Sequence, residues 1–155
     1  MIFNWFVATT VEEVGVSWFD FYSIGHICFG IGVFLFFSLL YTIPKSKGHT
    51  PILSLLAVFI ATLVILVLWE VVENTFLFWS NLKFENRPDS IQNIFTDIIL
   101  GAGGALGAWL FAHLIFEKKK NIWAYYIFGL ISFGLWIGIF VILRYFTLAN
   151  SPVFS

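Results

Sequence analysis

Charge is what this chain has least of. Only 11% of its 155 residues are Asp, Glu, Lys or Arg, where a soluble domain carries roughly 25%. Hydrophobic residues make up 60% of the chain and aromatics 21%, with a mean hydropathy of +0.94. Such a composition cannot cover a water-facing surface. It excludes a soluble globular domain and implies a protein that turns its outside to lipid. The formal net charge is −1, and without a basic face a nucleic-acid partner is excluded. Cysteine is almost missing. Cys28 alone leaves no intramolecular disulfide and no cysteine-only metal site, and its place in an apolar run suits packing. The opening MIFNWF has no positive charge ahead of its apolar residues, so it does not read as a secretory signal. There is no His-Glu-x-x-His or Glu-x-x-His pattern, no nucleophile motif around Ser or Cys, no low-complexity stretch and no evident inverted repeat. These absences assign no catalytic residue and leave any reaction open.

What is present is four long apolar runs. They predict an all-α fold, a single transmembrane domain over residues 1–155. Its spans lie at about 18–43, 52–79, 91–116 and 122–148, each long enough for the roughly 20 residues that cross a bilayer. Ser17 and Asp20 suit a start and Pro44 a stop for the first span, and Pro88-Asp89-Ser90 suits a start for the third. Thr10 with Glu13 fits a capping box and predicts a short N-terminal helix near Val11–Val14, lying at the interface among its aromatic neighbours. Short connections imply one compact four-helix bundle of antiparallel neighbours. Gly25, Gly30 and Gly32 interrupt the first span, Gly101, Gly104 and Ala108 form one small face of the third with Gly103 and Gly107 beside it, and Gly134 and Gly138 lie four apart in the fourth. Small residues at this spacing suit close helix contact.

Lys45 and Lys47 stand in the first loop and Lys118, Lys119 and Lys120 in the third, whereas the middle loop balances Lys83 and Arg87 against Glu85 and Asp89. The positive-inside rule then places loops one and three in the cytoplasm and both termini outside, in the cell membrane. In that topology His26, Glu70, Glu73, Asn93, Asp97 and Arg144, drawn from all four spans, fall into one slab on the non-basic side. Glu70 and Glu73 are three apart and share a helix face, with about 5–6 Å between their Cβ atoms. Ionisable groups at such depth are costly and need a reason. Three carboxylates in low dielectric must be compensated by a cation or by protons.

Three compensations compete. A divalent ion could be held by His26, Glu70, Glu73 and Asp97. Oxygen ligands suit magnesium, calcium or manganese, and a His among them admits zinc or iron. Alternatively the pocket could take a lipid-linked headgroup, with Arg87 and Asp89 as its contacts at headgroup level. The third reading is an internal ion-pair network with Arg144 as the cation, in a structural subunit of a membrane complex or a homo-oligomer. A proton or ion path is a further reading, though four spans would need to dimerise to enclose one.

The residues also resemble a family. Asp20 with His26 at the start of the first span, Trp69-Glu70-x-x-Glu73 at the end of the second, and Arg87, Asp89, Asn93, Asp97 and Gly101 entering the third look like the pattern of VanZ-like and YjdF-like small polytopic membrane proteins. The likeness covers roughly residues 20–107. It departs where Asn93 precedes Asp97 rather than following an Asp, and where Asn74 stands near the place of a Gln. The resemblance implies a polar site opening to the outer face of the membrane, since the best-known members are linked to glycopeptide-antibiotic resistance. It implies no particular reaction.

Overall fold

The computed structural model describes residues 5–83, 86–117 and 122–150. Among them are four long helices: α1 (Ser23–Ser46), α2 (Leu55–Val72), α3 (Ile91–Glu117) and α4 (Ile122–Asn150). A π-helical turn, Glu73–Leu77, extends α2. All four are long and apolar enough to cross a membrane. The chain is therefore a multi-pass, all-α membrane protein, as its composition predicts.

Helix ends differ from expectation where a backbone group finds another partner. The first helix begins at Ser23, not near Trp18. Residues 17–22 are drawn off instead to meet the N-terminal segment: Phe19 N–H donates to Phe6 C=O at 2.9 Å and Ala8 N–H to Phe19 C=O at 2.8 Å. Pro44 does not stop the helix, which runs on to Ser46. Proline removes the N–H that would have served Leu40 C=O, and Ile52 N–H supplies that bond from the next segment at 3.0 Å. The stop is Gly48, whose φ of 78° suits a left-handed C-terminal cap. His49 N–H bonds back to Pro44 C=O at 2.9 Å and Gly48 N–H to Lys45 C=O at 3.2 Å, which is a Schellman closure. Because Ile52 is engaged in this turn, α2 starts late, at Leu55, with Ser54 Oγ accepting from Ala57 N–H at 3.1 Å. The predicted N-terminal helix is a single 3-10 turn, Val11–Glu13, with the Glu13 carboxylate accepting from the N–H groups of Thr9 and Thr10.

α1 is the inner helix. In its most apolar window 44% of residues are buried, against 17% in α4, which lies at the edge. α1 packs on α2, α3 and α4, and the α1–α3 pair is the closest. A Cβ at Gly30 would collide with the carbonyl of Gly101, and one at Gly104 with the carbonyl of Ile27. The two backbones touch where both helices lack side chains, as small faces permit in a membrane. Gly103 and Gly107, on the neighbouring stripe, have nothing near them. Toward the Gly48 end, Ala105, Ala108 and Ala112 of α3 share one apolar core with the larger Phe34 of α1, Tyr125 of α4 and Phe116 of α3 itself. Two hydroxyl pairs cross that core and join α4 to α1: Tyr125 Oη donates to Ser38 Oγ at 2.7 Å and Tyr126 Oη to Thr42 Oγ1 at 2.9 Å.

The crossing yields a stability prediction. Gly30→Ala and Gly104→Leu should each lower thermal stability in detergent by about 1–3 kcal/mol, the cost of overpacking. Gly103→Ala should be neutral or gain up to about 1 kcal/mol, since a mid-helix glycine is itself unfavourable. Thermal unfolding of the three purified variants checks this, and equal behaviour at positions 103 and 104 would overturn it.

Candidate functional site

The antiparallel order brings the start of α1, the end of α2 and the start of α3 to one level. His26 lies one turn into α1 and is buried, as are Glu70 of α2 and Asp97 of α3. The imidazole sits between the two acids, with Nδ1 3.6 Å from Glu70 Oε1 and Nε2 3.6 Å from Asp97 Oδ2. Both separations exceed a hydrogen bond. Ser23 Oγ approaches the other Asp97 oxygen at 3.5 Å. Glu73 comes in from the π turn, so that one ligand atom each from His26, Glu70 and Glu73 lie within 4.8 Å of one another.

A second layer lies just outside the first and is centred on Lys83. Its ammonium bonds to Asp89, approaches Glu73 Oε1 at 3.8 Å and donates to Asn74 Oδ1 at 3.2 Å. The same Asn74 oxygen accepts the Asp89 N–H at 2.6 Å, and its Nδ2 donates to Glu70 C=O at 3.0 Å. Asn74 thus ties the π turn to the loop before α3. π turns recur at functional sites because the extra residue redirects side chains. Here it allows Glu73 to face the first layer and Asn74 the second. Burial holds the Asp89 carboxyl above its ordinary range, an effect that Lys83 and the Asn74 bond oppose.

A third layer closes the end. Asp20 Oδ1 accepts from Tyr22 N–H at 2.7 Å, while Oδ2 accepts from Gly15 N–H at 3.0 Å and from Asn93 Nδ2 at 3.2 Å. Arg87 donates to the carbonyls of Glu12 and Val14. Ser90 and Gln92 both donate to Val16 C=O. The N-terminal segment is therefore held across the polar end of the bundle. Gly15 is needed where it stands: its φ is 73°, and a Cβ there would meet the Asp89 carboxylate.

The six pocket residues expected from sequence separate in this geometry. His26, Glu70, Glu73 and Asp97 come together, while Asn93 joins Asp20 and Ser17 C=O instead. Arg144 lies on α4, but its side chain is outside the described residues, as are residues 84–85 and 118–121. The described α4 side chain at His26 is Phe140, edge-on at 5.7 Å. Arg87 and Asp89, expected at lipid headgroups, are half-buried and bond to Val14 C=O and Lys83 respectively. The expected four-ligand set also divides. One imidazole cannot turn both nitrogens to one ion, so Asp97, on Nε2, stands opposite the ligand side. Sequence reasoning missed the buried Lys83 and the bridging Asn74. In the sequence Lys83 is one charge of a balanced loop, and nothing in its spacing marks it as buried. No protein-family model, curated protein or solved structure matches this chain.

Lys83 generates the second prediction. Lys83→Met leaves Asp89 and Glu73 without their cation and should cost about 3–5 kcal/mol at neutral pH, as breaking a buried pair does. The sign with pH follows from Asp89. A carboxyl held above its unfolded value contributes stability at low pH that is lost as pH rises through its folded value. Removing Lys83 raises it further, so the deficit of the variant should shrink as pH falls from about 8 to about 5. Thermal unfolding across that range checks it, and a deficit independent of pH would overturn it.

Proposed function

We propose that this is a VanZ-like protein of the cell membrane whose buried pocket binds a divalent cation near the outer leaflet and, through it, the polar headgroup of a lipid-linked ligand. The observation that carries the reading is the convergence of His26, Glu70 and Glu73. Around a tetrahedral ion with bonds of about 2.1 Å, ligand atoms lie about 3.4 Å apart. The Nδ1–Oε1 separation of 3.6 Å is already close to that spacing, and a Glu73 carboxylate oxygen, as the third ligand, lies within 4.8 Å of a ligand atom from each of the two residues. Asp97 then takes the role common beside metal-bound histidines. With the ion bound it would accept from the opposite ring nitrogen, 3.6 Å away in this structure, fixing the tautomer and orientation of the ligand. One imidazole and two carboxylates favour manganese, zinc or iron, with magnesium or calcium served by oxygen alone. Charge supports the reading as well. Among the described side chains, the Lys83 ammonium pairs with Glu73 and Asp89, while Glu70 and Asp97 flank His26, so a bound cation would compensate carboxylate charge that Lys83 leaves over.

A second reading has its own observation. Lys83 already reaches Glu73 and Asp89, as an internal ion-pair network would require, in a protein that serves as a structural subunit of a larger membrane complex. The two readings separate by titration. Metal-stripped protein in detergent, titrated with manganese or zinc, should take up one ion per chain. Asp97→Asn should weaken that binding by about 10–100-fold, the usual cost of losing a supporting carboxylate, and Glu70→Gln should weaken it further. Wild type that takes up no stoichiometric ion, or binding indifferent to Glu70→Gln, favours the network instead.

Orientation is part of the proposal, supported by Lys45 and Lys47 at the Gly48 end and the lysine run at residues 118–120. In a Cys28→Ser background, a membrane-impermeant maleimide should label Asn86→Cys on intact cells and Lys47→Cys only after permeabilisation. The opposite pattern would place the pocket on the cytoplasmic side.

A further inference from the structure

His26, Glu70 and Asp97 are buried, so nothing reaches them from water unless a covering moves. Toward the membrane interior the cluster is shut by helix contacts about one turn deeper. There Gly30 lies against the Gly101 carbonyl, Leu66 Cδ2 of α2 stands 2.9 Å from where a Gly101 Cβ would be, and Phe29 packs on Trp69 at 5.2 Å. On the α4 side Phe140 meets His26 edge-on and fills the space over Gly25. Opening any of these contacts would part the helices. The covering at the start of α1 is of another kind. It is the N-terminal segment, residues 5–22, which crosses the end of the bundle as a strap.

The strap is held mainly by bonds that water can replace. Arg87 donates to the carbonyls of Glu12 and Val14, Ser90 Oγ and Gln92 donate to that of Val16, and Ser90 N–H donates to that of Gly15 at 2.7 Å. Its buried apolar side chains among the described residues are Ala8, Val14 and Tyr22, with Phe140 packed against them. Segments with few buried apolar contacts open at the least cost, and the lids of binding sites are drawn from them. One clasp joins the strap to the pocket. Asp20 Oδ2 accepts from Gly15 N–H and Oδ1 from Tyr22 N–H, while Asp20 N–H donates to Ser23 Oγ at 3.0 Å. That same Ser23 oxygen lies 3.5 Å from Asp97 Oδ1, and the other Asp97 oxygen faces His26. One serine is thus shared between the latch of the strap and the acid beside the imidazole. The regular helix begins at Ser23, which makes residues 20–22 the joint.

We propose that residues 5–22 form a lid over the His26–Glu70–Asp97 cluster, hinged at Asp20–Tyr22 and latched by Arg87, and that a ligand of the pocket enters from water when it lifts. That the ligand is a cation rests on the pocket reading above; the lid does not. In a Cys28→Ser background, Ser23→Cys puts a thiol under the lid by a one-atom change. Ser38→Cys puts one in the apolar core toward the Gly48 end, where Ser38 is fully buried. Purified protein is treated with a small cationic thiosulfonate reagent and labelling is followed by mass spectrometry. Adding Arg87→Gln should speed labelling at position 23 about tenfold, as expected when an opening equilibrium loses a charged hydrogen bond, and leave position 38 unlabelled. Unchanged labelling at position 23 would overturn the proposal, and so would equal speeding at position 38, which would mean a loosened bundle. Hydrogen exchange on the unsubstituted chain is the second measurement. The bonded amides of Ala8 and Gly15 should exchange well ahead of those of Gly30 and Gly101, and equally slow exchange would overturn the lid. Neither measurement involves a metal. A protein that opens in this way but takes up no manganese keeps the lid and loses the cation.

Discussion

The contact on which the rest depends is the backbone crossing of α1 and α3, where Gly30 lies against the Gly101 carbonyl and Gly104 against that of Ile27. One turn before Gly30 on α1 is His26, and one turn before Gly101 on α3 is Asp97. Their 3.6 Å separation is therefore set by how closely the two backbones approach. A single methyl group in the crossing would have to part the helices and would widen the polar site before it touched any polar residue. Packing and chemistry share one distance in this bundle.

The second constraint is charge. Buried carboxylates in a low-dielectric slab must find partners, and the chain answers with layers. His26 faces two acids in the first, Lys83 neutralises part of the second, and Asp20 in the third accepts from backbone and amide N–H groups. Asn74 links the first two layers because an amide can donate and accept at once. The π turn is what frees it to do so.

Much of this was legible in the sequence. Four apolar runs with three short connections leave little choice of architecture, and the sorting of His26, Glu70, Glu73 and Asp97 to one end follows from antiparallel order alone. The small face of α3 was readable from Gly101, Gly104 and Ala108. Helix ends were less so. Pro44 looked like a stop because local chemistry says that its missing N–H should matter. Ile52, from the following segment, served the orphaned carbonyl, a tertiary event that no local pattern encodes. Lys83 was opaque for the same reason. Its burial comes from the fold of the loop around it, while its neighbours Arg87 and Asp89 suggest an ordinary solvated turn. The division of the ligand set between two faces of one imidazole required the ring orientation, which spacing along a helix does not contain.

The folded-back N-terminus has a consequence for how the protein is made. Its partners are Arg87, Asp89, Ser90, Gln92 and Asn93, all synthesised long after residues 5–19 leave the ribosome. Chains emerge at about 5–20 residues per second, so for several seconds the first segment has nothing to close upon. During that interval α1 and α2 enter the bilayer with His26 and Glu70 lacking Asp97, and with Glu73 lacking Lys83. The order of synthesis thus delivers the N-terminal cap first and the residues it closes upon last, and the polar end of the bundle is assembled only when α3 arrives. Insertion of α3 is the step that converts two costly helices into a stable protein.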